Sequence, residues 1–554
     1  MFPSPVVVKF SIAVVIFVVV TNPTETHEES LDAGEKEWWQ TAVIYQIYPR
    51  TFQDSDGDGN GDLNGIRNRL PHLKDIGVTA AWLSPIYKSP QFDGGYDLTD
   101  YTDIDPMFGT LKDFDNLVSE AKKLDIKILL DFVPNHSSDQ HEWFQKSVKR
   151  IEPYTSYYVW ADAKIVNDTR QPPNNWISWF RKSAWEWNKE RGQYYLHQFA
   201  VQEPELNFRN PHVVDEMTNV LRFWMDRDVS GFRVDTFPSL FEVESLPDEP
   251  LNLIPMDNGQ LIKDCLPDDH CYHDHIHTND HPLTYDMLEY WRHVLKEYSE
   301  ATDKVPRVLM IETSSRIDLS MRYFGNDTKD GAPCFPFNIF IIFNLTKESD
   351  ATDFKFLIDN YFTYLPKHGT PNWVLGSHDR HRVPNRHGVG RIDALHMLIM
   401  TLPGIAVTYN GEEIGQENGY VSWEDTKDPW GLNAGKDRYF LPQFTRDPER
   451  TPMQWDTTKN AGFSKANKTW LPVSEKYKET NVKAQASTNV DSHYNVYKAL
   501  TQLRKKSTLQ NGELTIQTFG KNVLIIIREL KKAPSYISIL NLNDKIEDTR
   551  KILK

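Results

Sequence analysis

At 554 residues, with 39% hydrophobic and 25% charged side chains, the chain is globular in composition and long enough for two or three domains around a large core. Its 62 Lys and Arg against 78 Asp and Glu leave a formal charge of -16. That excludes the concentrated basic surface which nucleic-acid binding requires, and it points to a neutral small-molecule partner. The 16 Trp, 24 Tyr and 28 Phe fit a large core by default, and would also suit stacking against apolar faces of a ligand.

The N-terminal stretch MFPSPVVVKFSIAVVIFVVVTNPTETHEES places Lys9 before an apolar run, Phe10 to Val20, that is too short to span a bilayer. Residues 1–25 therefore read as a secretory signal peptide, with an uncleaved signal anchor and membrane association as the alternative, since no clean small-x-small site follows. No second long apolar run occurs, and the end, DTRKILK, carries no lipid-anchor tail. Acceptor sequons at Asn167, Asn326, Asn344 and Asn467 agree with the secretory route, hence a location outside the cell or on the extracellular face of a membrane. Cys265 and Cys271, in CLPDDHC, are spaced to close a small disulfide loop in an oxidising compartment, which leaves Cys334 as a buried free thiol.

From residue 38 onward short apolar runs alternate with amphipathic stretches. AVIYQIYP (42–49), VTAAWLSP (78–85), IKILLDFVPNH (126–136), VSGFRVDT (229–236), RVLMIET (307–313), PNWVLGSHD (371–379) and GIAVTYNGEE (404–413) read as buried strands. Helical patterns cover 111–124, 212–227 and 284–300. Residue types that can do chemistry close several of the runs: Asn135 and His136, Asp235, Glu312, His378 and Asp379, and Glu412. That placement predicts a (β/α)8 barrel over 38–136 and 206–470, because such a barrel builds its active site from loops at the strands' C-terminal ends. A doubly wound sheet would call for a Gly-rich phosphate turn, which is absent. Residues 137–205, rich in Trp, Tyr, Asn and Pro, interrupt the alternation as a small inserted domain. From 471 to 554 short alternating runs such as ELTIQTFG and NVLIIIREL predict a terminal antiparallel β domain.

Arg233 and Asp235, two apart on a predicted strand, share one face, and the guanidinium would hold the carboxylate ionised, as a nucleophile requires. On those two residues alone a structural ion pair is the commoner reading. Glu312 closes an apolar strand, where partial burial would raise its carboxyl and suit a general acid. Asp379 adds a third carboxylate. One ionised and one protonated carboxyl about a scissile bond are what glycosidic cleavage needs.

DFVPNH (131–136), GFRVDT (231–236), Glu312 after VLMI, and VLGSHD (374–379) resemble, in order, the four sequence blocks of the α-amylase superfamily, glycoside hydrolase family 13. AVIYQIYPRTFQDSDGDGNGD, GGYD, FGTLKDFDNLV, YNGEEIG and ERTPMQWD are similar to α-glucosidases of the oligo-1,6-glucosidase and insect maltase type, and the likeness spans roughly residues 38 to 475. The resemblance implies a retaining double displacement, with Asp235 as nucleophile, Glu312 as general acid and then base, Asp379 as transition-state stabiliser and Arg233 orienting the nucleophile. It implies that His136 and His378 hydrogen-bond the nonreducing glucose, and that Asp93 and Tyr96 close a blind pocket end. Arg446 is the arginine chosen to pair with Asp93, and Arg450 is its close competitor. In this subfamily Thr236, right after the nucleophile, goes with maltose- or sucrose-like substrates rather than α-1,6 linkages. Three departures lie near the pocket: Ser377 where Asn is usual, TSSR after the acid, and EPELN at 203–207 where QPDLN is usual. They are expected to mark a narrowed preference, for example towards sucrose, or a shift to glucosyl transfer.

In DSDGDGNGDLNG (54–65), acids fall at EF-hand-like positions, but Gly65 replaces the closing Glu and a strand precedes the loop. The resemblance implies a structural Ca2+ held by Asp54, Asp56, Asp58 and Asp62 with the Asn60 carbonyl. The expected activity is thus an exo-acting α-glucosidase on a small glucoside. The rivals are a sucrose-using transglucosidase or isomerase, and an inactive receptor or transporter-associated ectodomain. The intact Asp235, Glu312 and Asp379 argue against the last.

Overall fold

The computed structural model describes residues 16–20, 36–253, 265–326, 331–441, 444–487 and 490–542. Of the expected signal segment only Ile16–Val20 falls among them, as a strand antiparallel to the last strand of the chain with Val18 opposite Ile537. The expected cleavage region and the end DTRKILK lie outside the described residues.

Eight strands form one parallel sheet: β1 Val43–Ile47, β2 Ala80–Leu83, β3 Lys127–Phe132, β4 Gly231–Val234, β5 Val308–Ile311, β6 Cys334–Pro336, β7 Asn372–Val374 and β8 Ile405–Tyr409. The hydrogen-bonded order is β6-β5-β4-β3-β2-β1-β8-β7, which is chain order wrapped round a barrel. Between β6 and β7 the seam is held by a side chain, because Asn372 Nδ2 donates to the Pro336 carbonyl (2.7 Å) while its Oδ1 accepts from Asn338 N–H (2.8 Å). β6 is the strand that periodicity missed. Three residues ending in proline leave too short a pattern to read.

Helices cover the strands outside: α1 Leu63–Asp75, α2 Leu111–Lys123, α3 Pro211–Met225, α4 Pro282–Ala301, α5 Ala351–Tyr364, α6 Ile392–Thr401 and α7 His493–Arg504. Their starts are chemically marked: Asp62 caps α1 through Gly65 N–H, Thr110 and Asp113 form a capping box on α2, and Asn210 caps α3 ahead of Pro211. Trp224 on α3 and Trp291 on α4 are fully buried, and Trp291 meets Phe132 of β3 edge-on at 5.1 Å.

The inserted segment holds a three-stranded antiparallel sheet of Trp160–Ala161, Trp185–Asn188 and Gln193–Leu196. It leaves and rejoins the barrel at one point, where His136 and Glu205 form an antiparallel bridge. The terminal sheet is built from β9 Glu513–Phe519, β10 Val523–Glu529 and β11 Ser535–Asn541, with Ile16–Val20 as a fourth strand on β11. β9 starts well after residue 471. Before it, α7 lies on the barrel, with Arg504 donating to the carbonyls of Ile399, Met400 and Leu402 and Tyr497 meeting Thr408 of β8.

Gly404 opens β8 with φ +98°, and a Cβ there would sit 1.8 Å from the Pro371 carbonyl, the same oxygen that accepts from Ile405 N–H. Gly404→Ala should therefore cost at least about 2 kcal/mol of stability, seen as a lowered thermal midpoint. An unchanged midpoint would show that the β7–β8 seam tolerates displacement.

Candidate active site

The site grows from one buried cation. Arg233 lies on β4 and is 2% exposed. Its Nη1 meets Asp235 Oδ1 at 2.5 Å and Asp131 Oδ2 at 3.2 Å, and its Nη2 meets Glu312 Oε2 at 2.7 Å. The carboxylates closing β4 and β5 are thus held on adjacent nitrogens of one guanidinium. Thr236 N–H donates to Glu312 Oε2 (2.9 Å) from a left-handed backbone, φ 43° and ψ 37°, an uncommon state for a β-branched residue. Glu312 keeps 29% of its side chain exposed and is held by polar partners, Arg233 and the Thr236 N–H.

Burial pushes the Asp235 carboxyl up against the pull of Arg233, and the neighbouring charges of Glu312, Asp131 and Asp379 push the same way. The guanidinium expected to hold Asp235 ionised faces several acids at once, so its pull works against burial and their charges, and the titration of Asp235 is linked to that of its neighbours. Asp131, in the middle of that cluster, is pushed up by burial to about 6.

Asp379 is the opposite case. Burial raises it, but His378, Arg450 and Arg446 outweigh burial and hold it below the usual carboxylate range. Its Oδ1 meets Arg450 Nη2 (2.8 Å) and Arg446 Nη1 (3.3 Å). His378 is fixed by a directed chain: Gln46 Nε2 donates to its Nδ1 (2.7 Å), its Nε2–H faces Tyr96 Oη (2.8 Å), and Tyr96 O–H donates to Asp131 Oδ2 (2.7 Å). The Tyr96 and His378 rings stack at 5.5 Å and 2°.

At the far end Arg446 Nη2 meets Asp93 Oδ1 at 2.5 Å and Asp428 Oδ1 at 2.6 Å. Arg450 instead binds the His378 carbonyl and Asp379. Arg446 therefore lines the cavity against Asp93, while Arg450 stands behind Asp379. The cavity, about 170 Å³, is lined by Asp93, Tyr96, His136, Asp235, Thr236, Glu312, His378, Asp379 and Arg446, under a wall of Trp179, Phe180, Phe199, Ile342, Phe343 and Trp430. Sequence reasoning missed Asp428, Asp131 and Gln46. Asp131 had a signal, being the first letter of DFVPNH, whereas Asp428 sits in an irregular segment with none. Glu412, expected among the strand-end groups, is buried outside the cavity lining, and burial pushes it up to about 8.

Elsewhere, Cys265 and Cys271 form a disulfide and Cys334 is a buried free thiol. His270, inside that loop, stacks on Trp179 at 3.9 Å, so the loop abuts the cavity wall. Asn167, Asn326 and Asn467 are exposed and Asn344 is half-buried. In the acidic loop Asp54, Asp56 and Asp58 bring carboxylate oxygens within 4.8 Å of one another. Asp62 does not join them: its carboxylate is taken by Ser55 N–H, Ser55 Oγ and Gly65 N–H, because it caps α1. Asn60 donates its N–H to Asp58 and accepts from Arg50 through Oδ1.

The family model for the alpha amylase catalytic domain matches residues 46–512. Maltase A1 of Drosophila melanogaster is 46% identical over 516 residues, covering 92% of this chain and 88% of the relative. An alpha-glucosidase of Apis mellifera is 45% identical over 503 residues, covering 91% and 85%. The crystal structure of the alpha-glucosyl transfer enzyme XgtA superposes with a TM-score of 0.81 at 33% identity, covering 92% of each chain. With its barrel, its three strand-end carboxylates and these matches over most of its length, the chain belongs to the α-amylase family.

Proposed function

We propose that the chain is a retaining, exo-acting α-glucosidase that releases glucose from maltose-like substrates or sucrose. The observation that carries this reading is the pairing of Asp235 and Glu312 on one guanidinium beneath a pocket whose far end is shut by Asp93 and Arg446. Two carboxylates one guanidinium apart suit the short spacing of a retaining enzyme. The Asp235 carboxylate attacks the anomeric carbon as Glu312 gives its proton to the departing glycosidic oxygen, leaving a β-glucosyl ester. Glu312 then takes a proton from water, which attacks the same carbon and frees both α-glucose and Asp235.

Arg233 orients Asp235. Asp379, kept anionic by its arginines, binds ring hydroxyls and offsets the positive charge that develops on the sugar. His136 and His378 line the pocket beside the terminal glucose, Tyr96 stacks under its ring, and Asp93 with Arg446 holds the distal hydroxyls. A shut pocket admits one terminal sugar, and Thr236 beside the nucleophile favours maltose- or sucrose-type linkages over α-1,6. The apolar upper wall, which favours a sugar over water as acceptor, supports glucosyl transfer as a second reading. Product analysis at high sucrose separates the two, since oligosaccharides or isomers in place of glucose and fructose would mean transfer.

The oxygen donors of Asp54, Asp56 and Asp58 fit a hard divalent cation such as Ca2+, which would cancel their mutual repulsion. Burial first and then its acidic neighbours push Asp56 up, as expected for acids gathered in want of a countercharge. The ion's role is to stiffen the loop, with no part in the reaction. Secretion is supported by the N-terminal apolar run, the disulfide and the exposed sequons; among the described residues no helix is long and apolar enough to cross a membrane.

Purified protein should hydrolyse a chromogenic α-glucoside, and Asp235→Asn should lower kcat by on the order of 10³–10⁵-fold with its melting temperature retained. Turnover surviving in that variant would defeat the assignment. Asp428→Ala strips Arg446 of one partner and should raise KM by about tenfold with a smaller change in kcat, read from steady-state kinetics. Chelation should lower the melting temperature before it lowers activity at ambient temperature. Loss of activity at an unchanged midpoint would contradict a structural ion.

A further inference from the structure

Glu203 belongs to the EPELN departure and has no part in the mechanism above. It lies where the inserted segment returns to the barrel, is 0% exposed, and points Oε1 at His136 Nε2 across 3.5 Å. Neither atom has a hydrogen-bond partner. The other ends of both groups are spoken for. Glu203 Oε2 accepts from Ala200 N–H (2.8 Å). Asn135 Nδ2 donates to the Ser239 carbonyl (2.7 Å), so Asn135 Oδ1 must accept, and His136 Nδ1 therefore carries its hydrogen (3.0 Å). A neutral His136 is left with a bare Nε2 facing a carboxyl oxygen. Two buried acceptors with no donor between them are costly, and one proton removes the cost.

We propose that Glu203 is a positioning residue which shares one proton with His136 behind the sugar pocket, and that loss of this proton weakens glucose binding. The proposal rests on the reading of the pocket as a glucose site.

The surroundings decide where the proton sits. Burial, then Asp93 and Asp97, push the Glu203 carboxyl well up, against the pull of Arg446. Burial pushes His136 down to about 3. The neutral arrangement follows, with Glu203 O–H donating to His136 Nε2. Once the proton leaves, a carboxylate faces Asp93, Asp97 and the bare imidazole nitrogen. The cation in reach, Arg446, is already shared among Asp93, Asp428 and Asp379. His136 then loses the contact that fixes its ring against the substrate. The sign follows from the raised carboxyl: the contribution is present at low pH and is lost as pH rises through the pair's apparent value. Glu203→Gln places a permanent N–H donor at the same point and should abolish the titration.

The test is calorimetric titration of D-glucose, a neutral ligand, into wild-type protein and E203Q from about pH 5 to pH 9, alongside the pH profile of kcat. Wild-type Kd should rise by up to about tenfold per pH unit above the pair's value, while E203Q stays flat. The pH profile of kcat should be the same in both. Superimposable Kd profiles would overturn the proposal, as would E203Q lowering kcat or stability while keeping the wild-type pH dependence of Kd. Should E203Q not fold, wild-type protein titrated in two buffers of different ionisation heat still decides, since alkaline glucose binding must take up a proton and its absence would overturn the idea. If neither glucose binding nor glucoside hydrolysis is found, it is the reading of the pocket that fails. Glucose binding and hydrolysis with a flat Kd would count against Glu203 alone.

Discussion

A guanidinium with no access to water has to be surrounded by charge, and Arg233 is surrounded by Asp131, Asp235 and Glu312. Taking such a cation out of water is expensive, and removing one partner of a buried pair costs about 3–5 kcal/mol, so each acid is bound to the others through the arginine. The four groups come from β3, β4 and β5 and can meet only if those strands are neighbours in register. Phe232 opposite Leu130 and Gly231 opposite Val308 provide that register. Barrel closure and site assembly are in this sense one event.

The outer parts serve that centre at a distance. The acidic loop reaches it through packed groups: Asn60 holds Arg50, Arg50 lies over Trp470 at 4.3 Å, Trp470 stacks on Tyr48 at 6.0 Å, and Tyr48 stacks on His378 at 5.6 Å. A loop that looks like the most chemical stretch of the chain is thus linked to a pocket histidine through packed side chains. The inserted segment contributes Trp179, Phe180 and Phe199 to the cavity wall, and where it meets the barrel His136 lines the cavity with Glu203 behind it. An insertion at this point changes the pocket without disturbing the strands, since both joints sit on one bridge.

Electrostatics separate carboxylates that look alike in one dimension. Asp235 and Asp379 both close barrel strands, yet burial among acids pushes the first up while His378, Arg450 and Arg446 hold the second down. The difference comes from which cations each faces, and those arrive from segments as remote as residues 446 and 450.

Read along the chain, much was determined locally. Seven of the eight barrel strands, the helices at 111–123, 211–225 and 282–301, and the acids at the strand ends follow from periodicity and from the ordered blocks DFVPNH, GFRVDT and VLGSHD, because a strand buried on both faces must be continuously apolar until it reaches its functional end. What the chain could not state is which groups meet. β6 is too short and too rich in proline to carry a pattern, Asp62 reads as one more acid of its loop until helix α1 claims it as a cap, and Arg446 and Arg450 are interchangeable in sequence until one faces Asp93 and the other the His378 carbonyl. Asp428 has no local signal at all. Hydrophobic burial is a property of single residues repeated at a period, and so is written in order along the sequence. Charge pairing is a property of two residues and the space between them, and only the fold supplies that space.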